Sequence, residues 1–303
     1  MRIAQLKLKI LVLALVAVVG ATATVALAAP KRAADNRGDV QKALTKTSKV
    51  ASGQFAFTVK ISGGSLGSGF NISGTGAFNT KHQVALVNVN LGALSQALGG
   101  VTGGAQIPST LNVVALKNTL YVRIPSVASQ IKPGAQWLKF DSQSVQKSLP
   151  GVTAPTTATT DPKQALKVLN GSIAVHKVGS TTVRGSSTSH YVVSVDVTKV
   201  VHGLVPAKDR ASTLKSLKAA GVKTVSLDLY VDGSGMVRRV SGGLKGVKVA
   251  KGSPGVSVVV SVDLYGFGHP VKATAPPASK TADGAKLLAQ LAAGLGGSGG
   301  NGG

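Results

Sequence analysis

The chain has 303 residues, 34 of them Lys or Arg against 10 acids, and a formal net charge of +24. Every acid is Asp and Cys is absent, which excludes a disulfide framework, a thiolate metal site and a lipidated cysteine. A field of this sign attracts polyanions, but at 4% aromatic residues the chain lacks the stacking platform of single-strand nucleic-acid binders.

The first residues run from a short basic start (Arg2, Lys7, Lys9) through an apolar run, Ile10 to Val19, into small residues ending Ala26-Leu27-Ala28-Ala29-Pro30. This is the three-part layout of a secretory signal peptide over residues 1–28, with cleavage after Ala28 or Ala29. Ile10 to Ala29 is also just long enough to span a bilayer as an uncleaved anchor, although its second half is Gly, Ala and Thr rather than Leu and Ile. Residues 29–38 form a polar leader. Export argues against a nucleic-acid partner and leaves an anionic membrane surface or a cell-wall polymer; alternatively, scattered Lys residues only keep a β-rich surface soluble.

Asp39 to Ala51, with Asp39 as N-cap and Val40, Ala43, Leu44 and Val50 apolar, predicts a short amphipathic helix. Strands follow. Phe55, Phe57, Val59 and Ile61 share one face, and Gln54, Ala56, Thr58, Lys60 and Ser62 the other. Gly63 to Gly69 turns the chain into a partner strand, Phe70 to Phe78. A third strand covers His82 to Leu91, and a Gly-rich loop runs from there through Ala105. Thr110 to Leu116 and Thr119 to Ile124 flank the hairpin-like Lys117-Asn118, and Trp137 to Phe140 is a short strand. Gly151 to Thr160 is a loop or linker whose length permits two domains, but similar long strands on both sides favour one continuous sheet.

Asp161-Pro162 opens a second helix through Ala165, Leu166 and Leu169, stopped at Asn170-Gly171. Strands are predicted at Ile173 to Val178, Thr181 to Gly185 and Ser189 to Lys199, then a Lys-rich helix, Ala207 to Ala220. Further strands cover Val222 to Val231, Met236 to Gly242 and Val256 to Tyr265, with a turn at Asp232-Gly233-Ser234-Gly235. Three strands repeat one pattern: Val193-Ser194-Val195-Asp196-Val197, Val225-Ser226-Leu227-Asp228-Leu229 and Val260-Ser261-Val262-Asp263-Leu264. Period-two geometry puts the aliphatics on one face and Ser and Asp on the other. Such a sheet must cover its apolar face with helices, another sheet or a ligand. Residues 271–303, with Pro276-Pro277, an Ala/Leu segment and a Gly-rich end, read as a low-complexity tail expected to lack order.

Catalytic patterns fail on context. The three strand Asp residues are the only clustered carboxylates, and mid-strand beside Ser each reads as a solvated Asp facing a cross-strand Lys. Gly63-x-Ser65-x-Gly67 has the spelling of a nucleophile elbow but sits between two strands. Gly297-x-Gly299-x-x-Gly302 lacks a βαβ context. The five histidines have no ligand spacing and no Cys or Glu partners. Asp232-x-Ser234 begins like a calcium loop without its closing Glu and reads as a hairpin turn. The expectation is a non-enzymatic protein with no catalytic residue, metal or cofactor.

Four segments carry a family resemblance: Asp161-Pro162 with Leu166 and Leu169; Gly185-x-x-Thr188-x-His190-Tyr191-x-Val193-x-Val195-Asp196; Asp228-x-Tyr230-Val231-Asp232-x-x-Gly235-Met236-Val237-Arg238-Arg239; and the late strand ending at Tyr265. Tyr121-Val122 and Trp137-x-Lys139-Phe140 fit the same layout. Over roughly Asp39 to Phe267 the chain resembles the LppX/LprG branch of the LolA/LolB-like envelope lipoproteins. The resemblance implies an α+β, mainly antiparallel fold: a curved half-barrel sheet over residues 39–270 with a few short helices on its concave face. It implies a lipid carrier that holds acyl chains or a lipoglycan in an apolar cavity, and the chain is expected to be a monomer. Alternation assigns the lining to Phe55, Phe57, Val193, Val195, Leu227, Leu229, Val258 and Val260. Members of this branch are anchored through a lipidated cysteine, which this chain lacks. The rival expectation is a structural or adhesive envelope protein with a filled core and a basic surface docked on anionic polymer.

Overall fold

A computed structural model describes residues 36–63, 69–98, 108–141, 172–204, 207–219, 221–247 and 255–285. The basic start and apolar run, the Gly151 to Thr160 stretch, the helix read from Asp161 and the Gly-rich end lie outside them.

Strands β1 (Ser52–Gly63), β2 (Phe70–Asn79), β3 (Val84–Asn90), β4 (Thr110–Leu116), β5 (Thr119–Arg123) and β6 (Trp137–Asp141) form an antiparallel meander. Strands β7 (Ser172–Val183), β8 (Ser186–Asp196), β9 (Thr224–Asp232), β10 (Val237–Val247) and β11 (Val256–Tyr265) form a second. The two join where β1 pairs antiparallel with β11, from Gln54↔Tyr265 to Gly63↔Val256. With β12 (Thr281–Asp283) the described residues make one open twelve-stranded sheet, β12-β6-β5-β4-β3-β2-β1-β11-β10-β9-β8-β7. It is the mainly antiparallel, curved half-barrel with few short helices that the sequence predicts.

The helices are α1 (Arg37–Ser48), α2 (Gly92–Leu98), α3 (Pro125–Ile131), α4 (Val197–Leu204) and α5 (Ala207–Ala219). None of the described helices is long and apolar enough to cross a membrane. Helix α1 buries Val40, Ala43, Leu44 and Thr47, a stripe of spacing three and four, against the sheet. It begins two residues before Asp39. Asn36 stands at its N-cap without capping it; the Asn36 side-chain oxygen instead accepts the Lys177 N–H of β7 at 3.1 Å. At the other end Thr47 Oγ1 accepts the Val237 N–H of β10 at 2.9 Å and Lys46 Nζ donates to Ser234 O at 2.6 Å.

Several boundaries differ from the sequence reading, each for a local reason. β8 ends at Asp196 rather than Lys199, because the Asp196 carboxylate accepts the Thr198 N–H at 2.7 Å and starts α4. The valines of α4 favour strands by propensity and hid it. β7 runs unbroken through Gly179, with its register shifting between Lys177 and Gly179. Helix α2 lies in the stretch read as a Gly-rich loop, and α3, between the strands predicted to end at Ile124 and begin at Trp137, has Pro at its start; each is seven residues, about two turns.

Order also extends past Pro270. Residues 281–283 pair in parallel with Trp137, Leu138 and Lys139, and Ala282 packs among Ala128, Ala135 and Leu138. Lys132 Nζ, donating to Ala278 O at 2.8 Å, holds the turn before it. The segment covers the edge of β6, which would otherwise present unpaired backbone groups.

Candidate functional site

Register puts the eight residues assigned to the apolar face on the same side of the sheet. Phe57 lies opposite Val262 and Gly74, Leu229 opposite Tyr191 and Val240, and Leu227 opposite Val193. Phe55, Phe57, Val193, Val195, Leu227, Leu229 and Val260 fall in one cluster with exposures from 0% (Leu229, Val193, Val195) to 7% (Phe55). Val258 packs against the cluster, half-buried. The helices do the covering: Val40 and Leu44 of α1 and Val197 and Val201 of α4 belong to the cluster, and Leu214 and Leu217 of α5 lean on it.

The same face changes character towards β6. In register from β1 it reads Phe55, Gly76, Val87, Val113, Val122 and Leu138, and in the adjoining row Phe57, Gly74, Val89 and Leu111. The two glycines make room for the two phenylalanines. A Cβ on Gly76 would stand 2.3 Å from the Phe55 ring, and one on Gly74 2.5 Å from the Phe57 ring. Beyond them Phe70, Val87, Leu111, Val113 and Val122 stay half-buried, an apolar stretch continuous with the core. Sequence alternation missed these residues, because β3 and β4 also carry Leu86 and Val114 on the opposite face and so show no preferred side. The period-two series Phe70-x-Ile72-x-Gly74-x-Gly76-x-Phe78 on β2 was the available signal.

The three strand carboxylates correct a second expectation. None faces a cross-strand Lys. Asp196 caps α4, Asp228 Oδ1 meets His190 Nε2 at 2.8 Å, and Asp263, 8% exposed, binds two arginines. Arg184 Nε donates to Asp263 Oδ2 at 2.9 Å, and Arg239 grips both oxygens through Nε and Nη2. Asp232 closes the β9–β10 hairpin, accepting from Ser234 N at 2.9 Å and Met236 N at 3.0 Å and pairing with Arg238. Each carboxylate thus has a structural partner of its own. Among the described residues no group of three His or acidic side chains could hold a metal ion.

Burial of Asp263 works to raise its pKa, and is outweighed by the Arg239 and Arg184 hydrogen bonds and charges, which hold it below the ordinary value. A depressed folded-state pKa contributes stability that is complete above the unfolded value and lost as pH falls through the folded one. Asp263→Asn should therefore be less stable than wild type at neutral pH, with the gap closing as pH falls below the ordinary carboxylate value of 3.8. Thermal melts across that fall in pH check this; a gap independent of pH would contradict the pairing.

No protein-family model matches the sequence, and no curated protein matches it significantly. Among solved structures the chain is similar to LprF from Mycobacterium bovis, with a TM-score of 0.47 and 11% identity over 79% of this chain and 96% of that one. It is similar to the lipoprotein LppX of Mycobacterium tuberculosis (0.43, 15%, 78% and 97%). A LolA superfamily protein from Nitrosomonas europaea also aligns (0.28, 11%, 78% and 96%).

Proposed function

We propose that this chain is an exported, non-enzymatic lipid carrier that holds the acyl chains of a lipid or lipoglycan against the apolar face of its sheet. The observation that supports this is the half-buried stretch Phe70, Val87, Leu111, Val113 and Val122, which runs from the main core to the small cluster of Ala85, Ala115 and Leu120, beyond α1, α4 and α5. An apolar surface left at a core's margin gains free energy from an apolar occupant. Each buried methylene contributes about 0.8 kcal/mol, so a dozen carbons gain up to roughly 10 kcal/mol before ordering costs. Phe55 and Phe57 would form the inner wall of the site. Val193, Val195, Leu227, Leu229 and Val260 act as its packed support rather than its lining, with Val258 at the margin.

In this reading residues 1–28 direct export and are removed, and with no cysteine to lipidate the protein is released as a monomer. Residues 39–270 form its single domain. Its basic surface brings it to anionic membrane or cell-wall polymer.

Native mass spectrometry of protein purified from its own envelope tests the proposal. Expected is an adduct of lipid mass that organic extraction removes. A chain free of adduct in every preparation, and unchanged by added lipid, would contradict it and favour the second reading, a structural or adhesive envelope protein. What favours that reading is the near-complete burial of seven of the eight assigned residues, as in a filled core.

A further inference from the structure

The opposite, polar face of the sheet holds an open hollow of about 750 Å³ between β11 and β6. One row of side chains in register crosses its floor, one per strand: Thr75, Asn88, Asn112, Arg123 and Trp137. Gln54 and Tyr265, themselves opposite each other, close one end, and Gln136 and Trp137 the other. The side chains are pinned. Asn88 Nδ2 donates to Asn112 Oδ1 at 2.7 Å, Arg123 Nη2 donates to Gln136 Oε1 at 3.2 Å, and the Arg184 guanidinium stacks 4.2 Å from the Tyr265 ring centre.

We propose that this hollow binds an acidic oligosaccharide. The volume suits a small ligand, and the lining has the mixture such sites use: apolar patches with a few convergent polar groups. Two amides bonded to each other still present the Asn88 Oδ1 and the Asn112 Nδ2 amino group, an acceptor and a donor side by side, which is what adjacent sugar hydroxyls require. The half-buried Trp137 offers a ring whose electron-rich face meets the weakly positive C–H groups of a pyranose. Arg123 is the cation of the lining, no carboxylate accompanies it, and so the hollow selects a sugar bearing a carboxylate over a neutral one. The nearest acid on the same row, Asp263, is held by its own two arginines. The basic balance of the secreted chain, +24 less the three cations of residues 1–28, adds a long-range attraction of the same sign.

Trp137 is the chain's single tryptophan, so its fluorescence reports on the hollow alone. Titrating the secreted protein with a hexamer of galacturonic acid, against a neutral hexamer of glucose, is expected to give a saturable change with the acid and a response at least tenfold weaker with the neutral sugar. Asn112→Ala should weaken the acidic hexamer about tenfold, near the 1.4 kcal/mol of one hydrogen bond. Arg123→Gln, at an exposed position, should remove the preference for acid over neutral. Circular dichroism confirms that each variant is folded; should Asn112→Ala unfold, Gln136→Ala replaces it with the same expected loss. No saturable change with the acid, equal affinity for both hexamers, or binding that these variants leave unaltered would each overturn the proposal. The titration reads the polar face and the lipid adduct reads the apolar one, so failure of either leaves the other standing.

Discussion

Phe57→Ala is expected to cost roughly 3–5 kcal/mol. Phe57 is 3% exposed at the junction of the two meanders, flanked by Val262 on β11 and Gly74 on β2. Deleting a buried ring removes its transfer free energy and leaves a void, and the penalty grows when neighbours cannot collapse inward. Here the neighbour is a glycine with no side chain to move, which puts the cost at the upper end. At about 2–4 °C per kcal/mol for a chain of this size the melting temperature should fall by roughly 10 °C or more. A double-mutant cycle refines the test. Gly74→Ala alone should destabilise, because its Cβ would sit 2.5 Å from the Phe57 ring and 2.4 Å from the Asn88 carbonyl oxygen. In the Phe57→Ala background only the ring clash is relieved, so Gly74→Ala should cost less there without becoming neutral. Strict additivity would mean that ring and glycine are not in contact.

The fold was legible where one face of a strand is apolar and the other polar. β1 and β9 alternate cleanly; turn residues at their ends also bounded the strands predicted for Thr110 to Leu116 and Val256 to Tyr265, which match β4 and β11 residue for residue. Legibility failed where local chemistry overrides pattern. A Val-rich turn after Asp196 becomes α4 because a carboxylate caps it, and a tail of low complexity reaches β6 because Ala282 and Gly284 are small enough to lie against Leu138 and Phe140. Neither is visible in propensity, since both depend on a partner distant in sequence or on a single side-chain hydrogen bond.

The candidate site was half legible for a related reason. Alternation identifies the face a residue occupies, and it did so for all eight assigned positions. It carries no information on where along that face the helices lie. Val193, Val195, Leu227 and Leu229 were the most regular aliphatics in the chain, and regularity is what a packed core under α1 and α4 requires. The half-buried stretch is carried instead by β3 and β4, whose two faces are both partly apolar. The row of amides and the arginine on the polar face was likewise invisible, because it exists only once five strands are in register.

The central claim, that acyl chains lie over β2 to β5, is tested most directly by a pair of tryptophan substitutions on the same face. Val122 is half-buried on the proposed lipid-contacting stretch, so under the lipid proposal Val122→Trp should displace acyl chains, abolish co-purifying lipid in native mass spectra, and move the melting temperature by no more than a few degrees. Leu229 is wholly buried beneath the helices, where extra volume forces neighbours apart; Leu229→Trp should cost about 3 kcal/mol or more and lower the yield of folded protein. If Val122→Trp retains the wild-type lipid adduct, or if Leu229→Trp stays folded and is the variant that loses it, the acyl chains do not lie where this account places them.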